Sequence, residues 1–151
     1  MKVLLINGSP HKEGCTYTAL REIADTLEKE QIETEIFWVG NKPISGCIAC
    51  KGCFKTGKCV INDTVNLFLE KAERADGFIF GSPVHYAGAS GMLTSFMDRA
   101  FYHKAGLFQG IRMIFVVLIP MIIGPKLGEI ASAGSPYTYE NDVKAIIELP
   151  S

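Results

Sequence analysis

The chain has 151 residues, 48% of them hydrophobic and 21% charged, with a formal net charge of -1. That length can bury a core without disulfide or metal staples and fits a single domain over residues 1–151. The near-neutral balance gives no electrostatic reason to expect a nucleic-acid or membrane-surface partner.

Residues 2–6, KVLLI, form an apolar run closed by Asn7, Gly8, Ser9 and Pro10, the pattern of a central parallel strand feeding a turn. From 16 to 30, Leu20, Ile23, Ala24 and Leu27 fall at i, i+3, i+4 and i+7, opposite Asp25, Glu28, Lys29 and Glu30; this spacing predicts an amphipathic helix. Ile32, Thr34, Ile36 and Trp38 then alternate with Glu33, Glu35 and Phe37 as a second strand would. After a cysteine-rich stretch, Asn62 or Asp63 is placed to cap a helix carrying Val65, Phe68, Leu69 and Ala72.

Residues 77–82, GFIFGS, read as a third strand closed by Pro83 and followed by the loop VHYAGASG. Leu93, Phe96, Met97 and Ala100 mark a third helix, and residues 113–119 a fourth strand. The apolar window 111–124 contains Pro120 and falls short of the roughly 20 residues that cross a bilayer. Beyond Pro120, Gly124, Pro125, Gly128, Gly134 and Pro136 break the pattern, and Val143, Ile146 and Ile147 suggest a short closing helix. Strands alternating with helices predict a doubly wound α/β sheet with its ligands at the carboxyl ends of the strands.

Two loops at that end carry chemistry. GSPHKEGCT, residues 8–16, would gather backbone N–H groups at a helix start with the hydroxyls of Ser9 and Thr16, a nest suited to a phosphate. It is not a P-loop, because Cys15 stands where that motif needs lysine. Nor is it the dinucleotide fingerprint, since Gly40 and Asn41 rather than an acid end the second strand. In SPVHYAG, His85 and Tyr86 are placed to flank a flat ring, while Ala87 and Gly88 let backbone approach it.

Four of the five cysteines crowd into GCIACKGCFKTGKCV: Cys47, Cys50, Cys53 and Cys59 read C-x2-C-x2-C-x5-C, close to the compact run that wraps one iron–sulfur cluster. Interleaved Lys51, Lys55 and Lys58 offset thiolate charge. A loop of thiols without metal is the first alternative. Zinc is the second, although zinc ligands usually come as two separated pairs. Residues 3–6 are too short to read as a secretory signal, so a reducing, cytoplasmic setting is expected and a disulfide reading is not. His103 reads as a charge partner for a helix C-terminus, and Asp98 and Arg99 as surface or interface pairs. No catalytic side chain is singled out.

Together KVLLINGSPHKEGCT, ISGCIACKGCFKTGKC and FIFGSPVHYAGASGMLTSFMDR resemble the NADPH-dependent FMN reductase family of flavodoxin-like proteins, and the cysteine run resembles their iron–sulfur flavoprotein branch. The resemblance spans about residues 1–110. It implies Ser9, His11, Cys15 and Thr16 around an FMN phosphate, with Pro83, Val84, Tyr86 and Ala87 along the isoalloxazine and ribityl chain. Cys15 departs from the asparagine common at that position. Cys47, Cys50, Cys53 and Cys59 would hold a 4Fe-4S cluster. The implied activity passes electrons from NADPH or NADH through the flavin to a small-molecule or protein acceptor, with no catalytic side chain demanded because the cofactor carries the reaction. Two alternatives are an iron–sulfur flavoprotein carrier exchanging electrons with a ferredoxin-like partner, and a non-catalytic binding protein that has lost full flavin binding.

Such proteins continue with a third flavin loop, a helix and a fifth strand, none recognisable in residues 111–151. The expectation is a flavodoxin-like sheet lacking a normal fifth strand, with a homo-oligomer covering the exposed edge of the fourth.

Overall fold

The structure, a computed structural model, describes residues 1–85, 88–103 and 112–118, the last of these as backbone. Elements follow in the order β1 (Lys2–Asn7), α1 (Cys15–Lys29), β2 (Glu33–Trp38), α2 (Gly52–Thr56), α3 (Thr64–Ala72), β3 (Gly77–His85), β4 (Gly88–Ala89), α4 (Gly91–His103) and β5 (Arg112–Leu118). β1 lies between β2 and β3, and β5 lies beyond β3, all parallel. The registers Asn7↔Trp38 and Asn7↔Gly81 bring three strand ends level at the carboxyl edge.

The unbroken apolar run of β1 has its reason in this placement, since a central strand is covered on both faces. Leu4 and Ile6 join Phe78 and Phe80 in a core with Val65, Phe68, Leu69 and Ala72 of α3 and Leu93, Phe96 and Ala100 of α4. Val3, Leu5 and Ile79 alternate to the opposite face, where α1 buries Leu20, Ile23, Ala24 and Leu27. Rings interlock in the first layer: Phe68 meets Phe96 edge-on at 4.9 Å and Phe37 at 5.6 Å. Of the two candidate caps of α3, Asn62 and Asp63, it is Asp63 whose carboxylate accepts the Val65 N–H at 3.0 Å.

Several sequence expectations are corrected. In β2, Phe37 is the buried residue, whereas Thr34, Ile36 and Trp38 remain partly exposed. Among the described residues β2 is the edge strand, so its Phe37 face meets α3 and α4 while its other face opens beside Asn7, Lys12, Tyr17 and Arg21. β3 does not stop at Ser82: β5 runs alongside as far as Pro83↔Leu118, and the strand then folds back so that Val84 pairs with Ala89 and His85 with Gly88. A short helix, α2, interrupts the cysteine stretch between Lys51 and Gly57, which are both in the left-handed region. The described residues lie within one compact unit, Met1–Leu118. The rest of the expected single domain, including the closing helix and the question of a fifth strand, falls on residues outside those described.

Candidate functional site

The β1–α1 loop and the end of β3 meet at the carboxyl edge, where strand order reverses between β1 and β3 and open α/β sheets take their ligands. Asn7 is fully buried there. Its Oδ1 accepts the Ser9 N–H at 3.0 Å and its Nδ2 donates to the Lys12 carbonyl at 3.1 Å, so one side chain shapes the whole turn. Ser9 Oγ accepts the His11 N–H at 3.2 Å, and the Trp38 indole donates to the Ser9 carbonyl at 2.9 Å. The Gly8 N–H donates to the Gly81 carbonyl at 2.8 Å.

α1 begins after Gly14, an extended N-cap with no side-chain cap hydrogen bond. A 15-residue helix therefore presents its first-turn N–H groups and the positive end of its dipole with no cap from its own side chains. An anionic group such as a phosphate fits that uncapped start. Thr16 is buried beneath it, while His11 and Cys15 are exposed.

Ser90 ties the second loop to the first. Its Oγ donates to the Gly8 carbonyl at 3.0 Å and accepts the Leu93 N–H at 3.3 Å, capping α4; its N–H donates to Ser82 Oγ at 2.9 Å. Pro83 and Val84 are half-buried on this loop. Tyr86 and Ala87 lie outside the described residues. Of the eight residues expected around a flavin, the structure thus brings Ser9, His11, Cys15, Thr16, Pro83 and Val84 to one edge of the sheet.

Cys47, Cys50, Cys53 and Cys59 line one pocket open to solvent, together with Arg99, Tyr102 and His103. All four are free thiols, Cys47 and Cys50 exposed, Cys53 and Cys59 half-buried. Ala49 and Lys51, on either side of Cys50, have φ of 53° and 58°. Cys59 is the best fixed. Its N–H donates to Asn66 Oδ1 at 2.9 Å, and Asn66 Nδ2 donates back to its carbonyl at 3.0 Å. Four thiols in one cavity form a soft donor set suited to iron or zinc and not to hard cations. Among the described residues no three ligand side chains converge to hold a single metal ion. Ile48, Val60 and Tyr102, around the same cavity, are exposed apolar side chains.

Arg99 departs from its expected surface role, since it is buried; His103, in the last turn of α4 as expected, is buried too. Arg99 Nη2 donates to Cys59 Sγ at 3.3 Å, to the Ile61 carbonyl at 2.7 Å and to Asp63 Oδ1 at 2.9 Å, while Nη1 donates to Asp63 Oδ2. Burial by itself would depress the guanidinium, but the hydrogen bonds to Asp63 and Cys59 outweigh it and hold Arg99 above its ordinary value. Sequence reasoning also missed Asn7, Trp38, Asn66 and Ser90. Only Ser90, a serine directly before an apolar-periodic helix, carried a readable signal.

A parallel β2-β1-β3-β5 order with an uncapped helix start at the β1/β3 switch defines a flavodoxin-like protein. Residues 1–125 match the model of the NADPH-dependent FMN reductase family, and the chain belongs to that family. An iron–sulfur flavoprotein of Methanocaldococcus jannaschii is 44% identical over 100 residues, 66% of this chain and 52% of that protein. One from Archaeoglobus fulgidus is 31% identical over 119 residues, 79% and 58% of the two chains. A Clostridioides difficile iron–sulfur flavoprotein is 35% identical over 103 residues, 66% and 46%. The chain spans about half the length of these relatives. Among solved structures, the NAD(P)H:quinone oxidoreductase of Methanothermobacter marburgensis is similar with a TM-score of 0.60 over 83% of this chain and 90% of that one, at 13% identity. An FMN-dependent NADH-azoreductase of Bacillus anthracis, solved with FMN, gives 0.53 over 95% and 75%, at 12% identity. At those identities the likeness is one of fold.

Proposed function

We propose that the chain binds FMN at the carboxyl edge of its sheet and serves an oxidoreductase that passes electrons from NADPH or NADH to a small-molecule or protein acceptor. The observation that carries this reading is the uncapped start of α1 in a family whose description names FMN. Backbone N–H groups of the first turn, with Ser9, His11, Cys15 and Thr16, would hold the phosphate. Pro83, Val84, Tyr86 and Ala87 would lie along the ring and ribityl chain. Bound FMN supplies hydride and single-electron chemistry. The residues present would bind and orient it.

Cys47, Cys50, Cys53 and Cys59 would hold a 4Fe-4S cluster, which supplies one-electron transfer. This favours a second reading in which the acceptor or donor is a ferredoxin-like protein. The four thiols sharing one cavity support it, as do relatives named iron–sulfur flavoproteins. We place the protein in the cytoplasm, where five free cysteines stay reduced. We also expect a homo-oligomer, because β5 pairs only with β3 among the described residues and an open edge invites pairing. No helix among the described residues is long and apolar enough to cross a membrane.

The test is an absorbance spectrum of anaerobically purified protein, with FMN, iron, sulfide and zinc analysis. Flavin bands over a broad iron–sulfur shoulder, with iron and sulfide in equal amounts, are expected, and NADPH or NADH should bleach the flavin. Cys50→Ser should abolish the iron and leave the flavin. A featureless spectrum that added FMN does not restore would overturn the flavin reading; intact flavin with zinc or no metal would overturn the cluster reading alone.

A further inference from the structure

The only charged side chain that touches a cysteine sulfur among the described hydrogen bonds is Arg99, and it is not on the cysteine loop. It projects from α4, is 2% exposed, and reaches Cys59 Sγ at 3.3 Å. Its aim is fixed on two other sides. Asp63 takes both Nη1 and Nη2, and the Ile61 carbonyl accepts from Nη2 at 2.7 Å. Asp63 is itself held, since its Oδ1 also caps α3 through Val65. The guanidinium is therefore locked by its partners, the arrangement in which planar, bidentate geometry distinguishes arginine from lysine. One donor is left over: Arg99 Nε is buried with no acceptor among the described residues. A buried donor left unpaired costs free energy. Here it lies on a residue already turned toward a sulfur.

We infer that Arg99 is a positioning residue for the metal site: it fixes Cys59 as a ligand and, by donating to its sulfur, raises the reduction potential of the group the four cysteines hold. This rests on the proposed iron–sulfur reading of the loop. Hydrogen bonds to cluster sulfurs and the net charge around them set potential. An N–H···S bond stabilises the reduced, more negative form. Taking it away lowers the potential, and leaving the Asp63 carboxylate without its cation works in the same direction. Cys47, by contrast, accepts only a local backbone N–H among the described hydrogen bonds, from Ala49 at 3.4 Å, so the four thiols are not equivalent. Cys59 is the one the protein interior controls.

The experiment compares wild type, Arg99→Lys and Arg99→Gln, purified anaerobically and reconstituted with iron and sulfide. Iron and FMN content, thermal melts and an EPR-monitored titration with dithionite are read for each. Arg99→Lys keeps a cation but not the fork, and should keep iron and FMN while its one-electron equilibrium shifts about tenfold toward the oxidised form, about 59 mV lower. Arg99→Gln should shift further, or lose iron while holding flavin and fold. A wild-type midpoint in an iron-loaded Arg99→Lys protein overturns the inference. So does failure of both variants to fold, which would make position 99 structural. Loss of iron from both, with FMN and melt unchanged, supports the positioning of Cys59 and overturns the tuning of its potential. If wild type takes up no iron, the cluster reading itself has failed, an outcome separate from all of these.

Discussion

Gly81→Ala tests whether the proposed flavin loop is held by contact between β3 and α1. A methyl at position 81 would lie 2.9 Å from Leu20 Cδ1, 3.0 Å from Leu20 Cγ and 3.0 Å from Thr16 Cγ2. Leu20 is 0% and Thr16 3% exposed, so neither side chain can swing into solvent. Gly81 is not among the positive-φ residues, and alanine should gain roughly 0.4–1 kcal/mol by restricting the unfolded chain. Overpacking costs about 1–3 kcal/mol, so a net loss of about 1–2 kcal/mol is expected. Leu20→Ala alone should cost about 2–5 kcal/mol through the cavity it leaves. In the double variant the methyl added at position 81 enters space that Leu20 vacated, so the combined loss should fall short of the sum by at least about 1 kcal/mol. Urea unfolding followed by circular dichroism gives all four corners of the cycle. A second readout is FMN affinity: Thr16 sits in the first turn of α1, so Gly81→Ala should weaken FMN binding and Thr16→Ser, which removes Cγ2 and keeps the hydroxyl, should restore part of it. Gly81→Ala at wild-type stability, or losses additive within about 0.5 kcal/mol, would refute the reasoning.

Two further outcomes follow from single contacts. Asn66→Ala removes both hydrogen bonds that clamp the Cys59 backbone and should cost about 1–3 kcal/mol in urea unfolding; no measurable loss would show that the clamp adds nothing in solution. Glu35 is held below its ordinary value of 4.5, first by Lys71 and then by Lys2, against partial burial, which acts to raise it. Its stabilisation is therefore present above 4.5 and is lost as pH falls through the lower folded-state value. The group is partly exposed, so Glu35→Gln should cost no more than about 1 kcal/mol at neutral pH. The gap from wild type should close in acid, and a gap independent of pH would rule out the ion pair as its source.

Most of the sheet is legible in the sequence because its signals are local. The KVLLI run, the 3.6-residue stripe of α1 and the Asp63 cap each follow from residues close in sequence. Phe37 falls on the unexpected face because alternation shows that two faces exist without showing which one meets the larger layer. In an edge strand that is settled by α3 and α4, which are distant in sequence. Arg99 escapes for a related reason. An arginine beside Asp98 on a helix looks solvated, and its burial depends on Ile61 and Asp63, more than thirty residues away. The continuation of β3 past Pro83 needs β5 alongside it. The β1–α1 loop is recognisable as an anion nest, but the roles of Asn7 and Trp38 in shaping it depend on strand register.

α4 touches both candidate sites, one at each end. Ser90, its cap, holds the Gly8 carbonyl of the first loop, and Arg99 holds Cys59. A continuous helix rises 1.5 Å per residue, so these two grips stand roughly 14 Å apart along its axis. The helix works as a ruler. A residue inserted between 91 and 99 would move the Arg99 end by about 1.5 Å and turn it by roughly 100°, taking the guanidinium off Cys59 altogether. The separation between the two loops is thus written in a residue count, and length in this stretch is constrained more tightly than the identity of its exposed side chains.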